Sequence, residues 1–347
     1  MSPSLPSPAP SRPLSPTAAA DSTPRPVLWL PTKIHPVADK LASSLFDVIT
    51  PEDPRADEWW EHADASVVRT GNITEEDVRR AKKLRIVARN GVGCDSVALE
   101  ACKEAGIVVT NQPGSNAKAV AELVLGLAIS TARRVVEFDR RLRRGETLPS
   151  IDWLAETVED KTVGLVGMGD IAREVAKKFY GAFDSPILVY SPTSSPLKWT
   201  DQDPSGLPPI PHRRVSSLHE LLTHSDIVSL HCPLVPSTSG MMGAAEFKLM
   251  KRSAILLNSA RGGLVNEEAL LDALKTREIY AAGLDVLVHE PASAARYGEL
   301  LSLENVVVVP HAGAGTDKVQ VESCVRAVRT CESFLKGQGV GESHRVV

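Results

Sequence analysis

The amino-acid sequence predicts an α/β protein built on doubly wound parallel sheets, on the strength of three observations. Short apolar segments alternate with helical patterns from residue 27 almost to the end of the chain, which is typical of parallel β-α units. Six such segments follow one another between residues 163 and 309, which predicts one large sheet. The first of the six leads directly into a glycine turn and an amphipathic helix over residues 161–179. A chain of 347 residues suggests about two domains.

The part of the chain before the glycine turn predicts a first, smaller α/β unit. Residues 1–26 are rich in Pro, Ser and Ala and predict a disordered tail, because they cannot bury enough apolar surface to become ordered. A long helical pattern at 117–142 leads to the second unit. Its Arg-rich end at 140–144 is better explained by a solvated helix C-terminus than by phosphate recognition. The predicted strands are 27–30, 65–68, 85–88 and 107–110, and the predicted helices between them include 75–81 and 97–104.

The second unit has six predicted strands. Residues 192–214 break the alternation of strands and helices in this unit and contain many Pro, Ser and polar residues, which predicts a long surface loop. A helix is predicted at 317–335, followed by a polar tail. The six strands are 163–166, 187–190, 227–230, 254–258, 281–284 and 306–309.

The segment around Gly167 predicts a site for a dinucleotide pyrophosphate. Gly167 permits the tight reversal after the strand, Gly169 lets the backbone approach a phosphate, and Ala172 lets helix and strand pack closely. The helix begins near Asp170 and Ile171, so its free N–H groups and positive dipole end lie at the turn. A nicotinamide-type cofactor, NAD or NADP, is therefore the first hypothesis.

Composition argues against several classes of function. The chain has 39 basic and 43 acidic residues, and its formal net charge of −4 provides no general attraction for nucleic acid or an anionic membrane. No stretch approaches the roughly 18 consecutive apolar residues that span a bilayer. The five cysteines form no C-x-x-C pair and no metal-ligand spacing with histidine. We therefore expect a cytoplasmic protein with no metal site and no nucleic-acid or membrane partner.

Three side chains of different chemistry follow three strands of the second unit. Arg261, Glu290 and His311 come after the fourth, fifth and sixth predicted strands, and ligands of such sheets bind at the carboxyl ends of the strands. A guanidinium can hold a carboxylate, an imidazolium can protonate a carbonyl oxygen, and a carboxylate can orient the imidazole and raise its pKa. Singly, the three residues are more simply a loop salt bridge, an exposed turn residue and a cap. Together, behind a cofactor turn, they predict hydride transfer to a 2-oxo acid.

Five motifs occur in order along the second unit. They are G-x-G-x-x-A at 167–172, H-x-P-L at 231–234, N-x-x-R-G-G-x-V at 258–265, G-L-D-V-x-x-x-E-P at 283–291 and P-H at 310–311. With them the chain resembles the D-isomer-specific 2-hydroxyacid dehydrogenase family from about residue 27 onward. The resemblance implies two Rossmann-like domains, in which an NAD(P)-binding domain (114–311) is inserted into a substrate domain (27–113 and 312–347).

The same resemblance implies roles for individual residues. Arg261 would position the substrate, His311 would be the acid/base with Glu290 as its partner, and Asp285 would hold the nicotinamide carboxamide. The helix from Ala117 resembles one that mediates dimerisation in relatives, so a homodimer is expected. The further implied contacts are those of the substrate carboxylate with the backbone of Val92 and Gly93, and those of the cofactor with Cys232, Pro233 and Ala260.

Shorter matches bear on the substrate and leave alternatives open. Residues 234–242 and 310–316 look most like 3-phosphoglycerate dehydrogenases, and Arg69 would then be a candidate for binding the acidic group of the substrate. An arginine at a strand end is as often a surface residue. Glyoxylate and hydroxypyruvate reductases are close competitors. The alternative to an enzyme is a dinucleotide-sensing binding protein, like the transcriptional corepressors that resemble this family.

Two departures from the family pattern concern the cofactor. Ser191 follows the strand at 187–190, where an NAD-specific member usually has an acid that binds both ribose hydroxyls, so NADP is favoured over NAD. The usual arginine just after this strand is absent, which makes Lys198 the candidate counter-charge for a 2′-phosphate. Asp170 within the glycine turn would weaken pyrophosphate binding unless its side chain points away. The alternative is that Asp170 merely caps the helix.

Overall fold

The first part of the chain forms a parallel sheet of five strands. The structure, a computed structural model, describes residues 24–340 and 345–347. In chain order the first elements are β1 (Val27–Trp29), α1 (Pro36–Leu45), β2 (Asp47–Ile49), α2 (Trp59–His62), β3 (Ala65–Val68), α3 (Glu75–Arg80), β4 (Ile86–Arg89), α4 (Leu99–Glu104) and β5 (Val108–Thr110). The strand order is β2-β1-β3-β4-β5, one of the two common doubly wound orders.

The second part forms a parallel sheet of seven strands. Its elements are α5 (Ala117–Ala132), α6 (Val135–Arg143), β6 (Val163–Val166), α7 (Asp170–Phe183), β7 (Ile187–Tyr190), β8 (Arg213–Arg214), α8 (Leu218–His224), β9 (Ile227–Leu230), α9 (Ala244–Leu249), β10 (Ile255–Asn258), α10 (Glu267–Lys275), β11 (Ala281–Leu284), α11 (Ala294–Ser302), β12 (Val306–Val308) and α12 (Asp317–Leu335). The order β12-β11-β10-β9-β6-β7-β8 is that of a Rossmann sheet with one further strand, and it reverses at β6.

Alternate residues of each large-sheet strand pack into different cores on the two faces. Leu165 of β6 and Leu257 of β10 lie in one cluster, whereas their neighbours Val166 and Leu256 lie in the other. All four are at most 2 % exposed. Burial on both faces explains why these strands are continuous apolar runs in the sequence. The predicted fold class is confirmed.

The end of the chain returns to the first sheet. Helix α12 packs on β3, β4 and α1, and Cys324, Ala327 and Val328 lie in one core cluster with Leu28 and Val67. Both ends of the described chain therefore build the smaller unit. The domain limits at 113/114 and 311/312 stay a prediction.

The prediction of one helix over 117–142 is wrong, because the chain breaks at Arg134. The backbone of Arg134 is left-handed, with a φ of +55°. Its guanidinium donates two hydrogen bonds to Glu137, at 2.7 and 2.6 Å, and one to the carbonyl oxygen of Leu154. The break thus separates α5 from α6. A continuous apolar period cannot reveal a single residue in this conformation.

The Arg-rich end of α6 agrees only in part with a solvated helix terminus. The side chain of Arg143 is 77 % exposed, as expected. That of Arg141 is only 18 % exposed and forms ion pairs with Glu137, Glu146 and Glu304. The structure thus pairs Arg141 with carboxylates of this chain.

Residues 192–214 form irregular turns with two buried side chains, and the last two residues are strand β8. Trp199 and Ile210 are 1 % and 6 % exposed and pack in the same core cluster as Phe179. The prediction of a surface loop therefore holds for most of the segment and is wrong for Trp199 and Ile210. Strands β2 and β8 were not predicted, since they have two or three residues and little apolar pattern.

The predicted disordered tail lies mostly outside the described residues, which begin at residue 24. The prediction is wrong for Arg25 and Pro26: Arg25 donates to the carbonyl oxygen of Ser43, and Pro26 accepts a hydrogen bond from the N–H of Asp47. At the other end, residues 345–347 pair with the edge of β5. That pairing was not predicted.

Candidate active site

The turn between β6 and α7 leaves an open cradle in front of the first N–H groups of the helix. Gly167 has a φ of +110°, and a Cβ there would lie 2.6 Å from the carbonyl oxygen of His231, so this position requires glycine. Ala172 is completely buried where helix and strand meet. At Gly169, in contrast, a Cβ would meet no atom within 4 Å. The backbone is open here at a helix end that attracts anions, so the residues fit a dinucleotide pyrophosphate.

Asp170 is the first residue of α7, and its carboxylate lies beside Gly114. A Cβ on Gly114 would be 3.4 Å from Oδ2 of Asp170. The N-cap residue is Gly169, and no side-chain hydrogen bond caps the helix. The interpretation of Asp170 as a cap is therefore wrong. A cost to pyrophosphate binding stays a prediction.

Residues 191–195, directly after β7, contain no acidic side chain and are held by an arginine of β8. Ser191 is 8 % exposed, and its hydroxyl is 2.8 Å from that of Ser194. Arg214 donates to the carbonyl oxygens of Ser191 (2.6 Å), Ser194 (3.1 Å) and Ser195 (2.7 Å). Sequence reasoning missed Arg214 because it lies 23 residues beyond Ser191 and reaches the loop through the pairing of β7 with β8.

His231 follows β9 and lies against the glycine turn. Its Nε2 atom is 2.8 Å from the hydroxyl of Ser229. Burial lowers the pKa of His231 to about 3, so the imidazole is neutral at physiological pH. The next residue, Cys232, is half-buried, and burial raises the pKa of its thiol. Cys232 and the exposed Pro233 thus follow a residue in contact with the turn, and their contacts with the cofactor stay a prediction.

The side chain of Asn258 fixes the loop that follows β10. Its Nδ2 atom donates to the carbonyl oxygen of Arg261 at 2.9 Å, and its Oδ1 atom accepts from the N–H of Ala260 at 3.1 Å. A Cβ on Gly262 would overlap the backbone of Leu287. The main chain of Arg261 is therefore held in a defined place at the carboxyl edge of the large sheet.

The guanidinium of Arg261 reaches across to the smaller unit. Its Nε and Nη2 atoms both donate to Oδ2 of Asp95, at 3.0 and 2.8 Å, and Nη1 donates to the carbonyl oxygen of Ala260 at 2.7 Å. The group lies directly on the main chain of Gly93, where a Cβ would overlap Nη2. The structure thus brings together Arg261 and Gly93, both predicted substrate contacts. Asp95 was not predicted.

Arg89, at the end of β4, holds the loops on the substrate side and was also missed. Its Nε atom donates to the carbonyl oxygen of Gly93, and its Nη1 atom donates to that of Val68, both at 2.8 Å. Nη1 also donates to the carbonyl oxygen of Arg69. Burial lowers the pKa of Arg89, and the charge of Arg261 lowers it further. The available signal was its position at a strand end, the argument that identified Arg261.

The other predicted substrate residues lie on these same loops. Val92 is 38 % exposed, and its carbonyl oxygen accepts from Asn111 at 2.8 Å. Nε of Arg69 donates to Gln320 at 3.0 Å, and Gln320 donates to the carbonyl oxygen of Ala314 at 2.9 Å. Arg69 is therefore tied through α12 to the segment that follows His311.

His311 and Glu290 form the predicted pair. Nδ1 of His311 is 2.7 Å from Oε2 of Glu290, whose Oε1 accepts from the N–H of Leu287 at 3.1 Å. The backbone of His311 is left-handed, with a φ of +52°, and its N–H donates to the carbonyl oxygen of Asp285 at 2.8 Å. The His311 and Glu290 side chains are 51 % and 35 % exposed. Because Nδ1 faces Glu290, Nε2 is the atom left to face a ligand.

Asp285 holds the turn that carries His311. Its carboxylate is 2 % exposed and accepts from the N–H groups of Ala312 (2.6 Å) and Gly313 (3.0 Å). Burial raises the pKa of Asp285, and these two hydrogen bonds oppose the rise. Sequence reasoning did not identify this second role. Its predicted contact with the nicotinamide carboxamide stays a prediction.

In residues 24–340 and 345–347, no group of three or more His, Cys, Asp or Glu side chains is placed to hold a metal ion. The five cysteines are free thiols, three of them buried. No helix of this part of the chain is long and apolar enough to cross a membrane.

Residues 125–313 match the sequence model of the NAD binding domain of D-isomer specific 2-hydroxyacid dehydrogenases. The chain belongs to this family. Its activity is therefore NAD(P)-dependent oxidoreduction between a 2-hydroxy acid and its 2-oxo acid, which confirms the function and the cofactor class predicted from the motifs.

Curated relatives of the chain include enzymes named for several substrates. The chain is 36 % identical to a D-3-phosphoglycerate dehydrogenase of Methanocaldococcus jannaschii over 80 % of its own length and 50 % of the relative's. It is 35 % identical to a hydroxypyruvate reductase of Thermotoga maritima (80 % and 85 % covered) and 34 % identical to a glyoxylate reductase of Thermococcus litoralis (90 % and 95 % covered). The chain thus spans half of the first relative and most of the two reductases.

Solved structures share the fold of the chain over most of its length. The TT0316 protein of Thermus thermophilus is 34 % identical, with a TM-score of 0.79 and coverage of 92 % of this chain and 99 % of that one. The NAD-complexed 2-hydroxyacid dehydrogenase of Lactobacillus delbrueckii is 26 % identical, with a TM-score of 0.71 and coverage of 92 % and 99 %.

Proposed function

We propose that the protein reduces a small 2-oxo acid to its D-2-hydroxy acid at the cleft between the two sheets. The observations that carry this proposal are the His311–Glu290 pair, 2.7 Å apart, and the Arg261 guanidinium beside Gly93, both on loops at the carboxyl edges of the sheets. Reduction requires one group for the substrate carboxylate and one proton donor for the carbonyl oxygen. These residues supply both.

Each residue of the proposed site has one chemical task. Arg261 and the backbone N–H groups of Val92 and Gly93 bind the substrate carboxylate, which fixes the carbonyl group relative to the cofactor. The bound nicotinamide supplies the hydride. His311 donates the proton on Nε2 to the carbonyl oxygen and becomes neutral, while Glu290 on Nδ1 stabilises the imidazolium that precedes this step. Oxidation runs through the same groups in reverse.

Hydroxypyruvate and glyoxylate are the substrates that we propose first. Reductases named for these acids match the chain over most of their own length. Phosphohydroxypyruvate is the second candidate, because Arg69 is held by Nε alone and its two Nη atoms have no hydrogen-bond partner among the described residues. An arginine in this state is suited to a phosphate group.

For the cofactor, the preference we propose is NADPH over NADH. Ser191 stands where a carboxylate would repel a 2′-phosphate, and residues 191–195 contain no acid. Arg214 adds a positive charge to this loop. Its position against Ser191 makes it a stronger candidate than Lys198 for the counter-charge, since cationic groups favour a phosphate most at short range.

The proposal also includes an oligomeric state and a cellular compartment. Five exposed apolar side chains lie on α5, α6 and the segment after α6: Ile129 (37 %), Val135 (49 %), Leu142 (58 %), Ile151 (76 %) and Leu154 (72 %). Such a patch supports a homodimer that forms around α5 and α6. The five free cysteines support the cytoplasm as its compartment.

The test of the reaction is oxidation of NADPH and NADH, followed by absorbance, with glyoxylate, hydroxypyruvate, phosphohydroxypyruvate, pyruvate and phenylpyruvate. We expect turnover with the first two acids. If phosphohydroxypyruvate is also reduced, Arg69→Ala is expected to lower kcat/KM selectively for this phosphorylated acid. Cofactor binding without turnover of any acid would contradict the proposal and favour the dinucleotide-sensing alternative.

The test of cofactor preference compares Ser191→Asp, Arg214→Ala and Lys198→Ala. The new carboxylate of Ser191→Asp is expected to raise KM for NADPH at least tenfold and to improve use of NADH, because it repels the 2′-phosphate and can bind the ribose hydroxyls. Arg214→Ala is expected to weaken NADPH more than Lys198→Ala does. Equal use of both cofactors by the unchanged protein would count against the preference.

A further inference from the structure

We infer that Asp95 is a positioning residue that orients the Arg261 guanidinium from the opposite side of the cleft. Asp95 belongs to the smaller unit and Arg261 to the larger one, 166 residues further along the chain. The inference rests on the proposed function, in which Arg261 binds the substrate carboxylate. Asp95 does not itself contact substrate.

The hydrogen bonds of Arg261 leave one end of its guanidinium for a ligand. A guanidinium has five N–H groups in a fixed plane. Nε–H and one N–H of Nη2 point to Oδ2 of Asp95, and one N–H of Nη1 points to the carbonyl oxygen of Ala260. One N–H on each Nη atom remains. A guanidinium can hold a carboxylate through both oxygens with one N–H from each Nη atom.

Apart from Asp95, the carbonyl oxygen of Ala260 is the only hydrogen-bond acceptor of the Arg261 side chain among the described residues. The hydrogen bonds of Asn258 fix the backbone around Arg261 and do not reach its side chain. Arg89, another guanidinium, donates to the carbonyl oxygen of the same Gly93 at 2.8 Å. The guanidinium groups of Arg89 and Arg261 both lie beside Gly93 and repel each other. Among the described residues, Asp95 is the one carboxylate that forms an ion pair with Arg261.

The ion pair is too exposed to contribute much to folding, which separates its positioning role from a structural one. The side chains of Arg261 and Asp95 are 35 % and 69 % exposed, and exposed pairs add little to stability. Displacement of a substrate-binding group by about 1 Å, however, can lower a rate about 100-fold. The expected signature is a large kinetic effect with a small change in stability.

The experiment measures kcat, KM and thermal stability for Asp95→Ala and Asp95→Asn, with Glu76→Ala as the matched control. Glu76 is 55 % exposed and pairs with Arg79 at 2.9 Å on α3. We expect Asp95→Ala to lower kcat/KM about 10- to 100-fold, mainly through KM, with a shift in melting temperature no larger than that of the control. Asp95→Asn retains an acceptor for Arg261 and is expected to recover part of the loss.

A double-mutant cycle tests whether Asp95 acts through Arg261. If it does, Asp95→Ala has no further effect on kcat/KM once Arg261→Ala has been introduced. Independent, multiplying effects of the two substitutions would overturn the inference. So would an unchanged or lowered KM in Asp95→Ala, since a lowered KM would mean that Asp95 competes with substrate for the guanidinium.

Binding of oxamate, a non-reducible analogue of a 2-oxo acid, makes the inference testable apart from turnover. Its dissociation constant from the protein–NADPH complex is measured by fluorescence, and Asp95→Ala is expected to raise it about tenfold while NADPH binding stays within about twofold. Absence of turnover by the unchanged protein would contradict the proposed function. An equal oxamate affinity in the unchanged protein and Asp95→Ala would contradict the role of Asp95.

Discussion

A strained backbone and two carboxylates orient the imidazole of His311. A φ of +52° is uncommon for histidine, and the turn is held by hydrogen bonds from residues 311–313 to Asp285. Glu290 then fixes the ring through Nδ1. The ring therefore keeps one orientation before a ligand arrives, and less reorganisation is needed during the reaction.

Substitution of the pair is expected to affect turnover far more than cofactor binding. His311→Asn removes the proton donor and should lower kcat about 10²- to 10⁴-fold, whereas Glu290→Gln retains a hydrogen-bond partner and should lower kcat less. The measurements are steady-state kinetics with each 2-oxo acid and NADPH binding by fluorescence. A His311→Asn protein that has lost cofactor binding but retains kcat would show that the role is misassigned.

His231 predicts a dependence of stability on pH. Burial lowers its pKa from 6.5 to about 3, so between these values the unfolded chain binds a proton that the folded chain does not. The stabilisation is complete above pH 6.5 and is lost as the pH falls towards 3. Between pH 7 and pH 4, the free energy of unfolding of the unchanged protein should therefore fall by about 3 kcal/mol more than that of His231→Asn.

Urea unfolding at several pH values measures this difference. His219→Asn is the control, because His219 is an exposed histidine on α8. Parallel pH profiles for His231→Asn and the unchanged protein would contradict the lowered pKa of His231.

At the scale of elements, the site is built from loops at the carboxyl ends of parallel strands. The ends of β6, β9, β10 and β11 lie side by side in the large sheet. Each is followed by a residue that lies at the glycine turn, binds the proposed substrate or holds the turn of His311. Glycines set the spacing between these loops. Gly262 is packed against the backbone between β11 and Glu290, so the loops after β10 and β11 meet without room for a side chain.

Gly262→Ala is expected to destabilise the protein by about 1–3 kcal/mol or more, because the new Cβ would overlap the backbone of Leu287. Gly298→Ala is the matched control. Gly298 is an exposed residue of α11 where a Cβ would meet no atom within 4 Å. Alanine there should therefore raise the free energy of unfolding by about 0.5–1 kcal/mol. Free energies of unfolding from urea titrations compare the two. Equal values would mean that the loop after β10 moves to accept the methyl group.

For the whole molecule, the cleft depends on residues far apart in the chain. Helix α12 completes the smaller unit, and Gln320 on this helix holds Arg69 at 3.0 Å. The ion pair between Asp95 and Arg261 then joins the two units directly across the cleft. The proposed substrate site therefore exists only when both ends of the chain and its middle are folded together.

The exposed apolar patch predicts the oligomeric state. A homodimer would have twice the chain mass of 37.3 kDa, and a double substitution of Ile151→Asp and Leu154→Asp should convert it to a monomer, because buried carboxylates without partners are costly. Size-exclusion chromatography with light scattering measures the mass. Leu207→Asp is the control, as Leu207 is 48 % exposed and lies on the loop after β7. A monomeric unchanged protein would contradict the prediction.

Strands were predictable where burial on both faces produced a continuous apolar run, as at 163–166 and 281–284. Strands of two or three residues, such as β8, contain too few positions to show a pattern. Site residues were predictable where they directly follow such a strand, as Arg261 does. Arg214 and Asp95 could not be found in this way, because their partners are distant in sequence.

The sequence by itself determined the two parallel sheets, the glycine turn, and the three side chains at strand ends, because each follows from local periodicity or from a motif. Only the tertiary structure decided that α6 is separate from α5, that Arg214 serves the loop after β7, and that Asp95 bonds the Arg261 guanidinium. The physical reason is that a hydrogen bond or ion pair depends on distance in space. When its partners lie 23 or 166 residues apart, no local pattern of the chain records that distance.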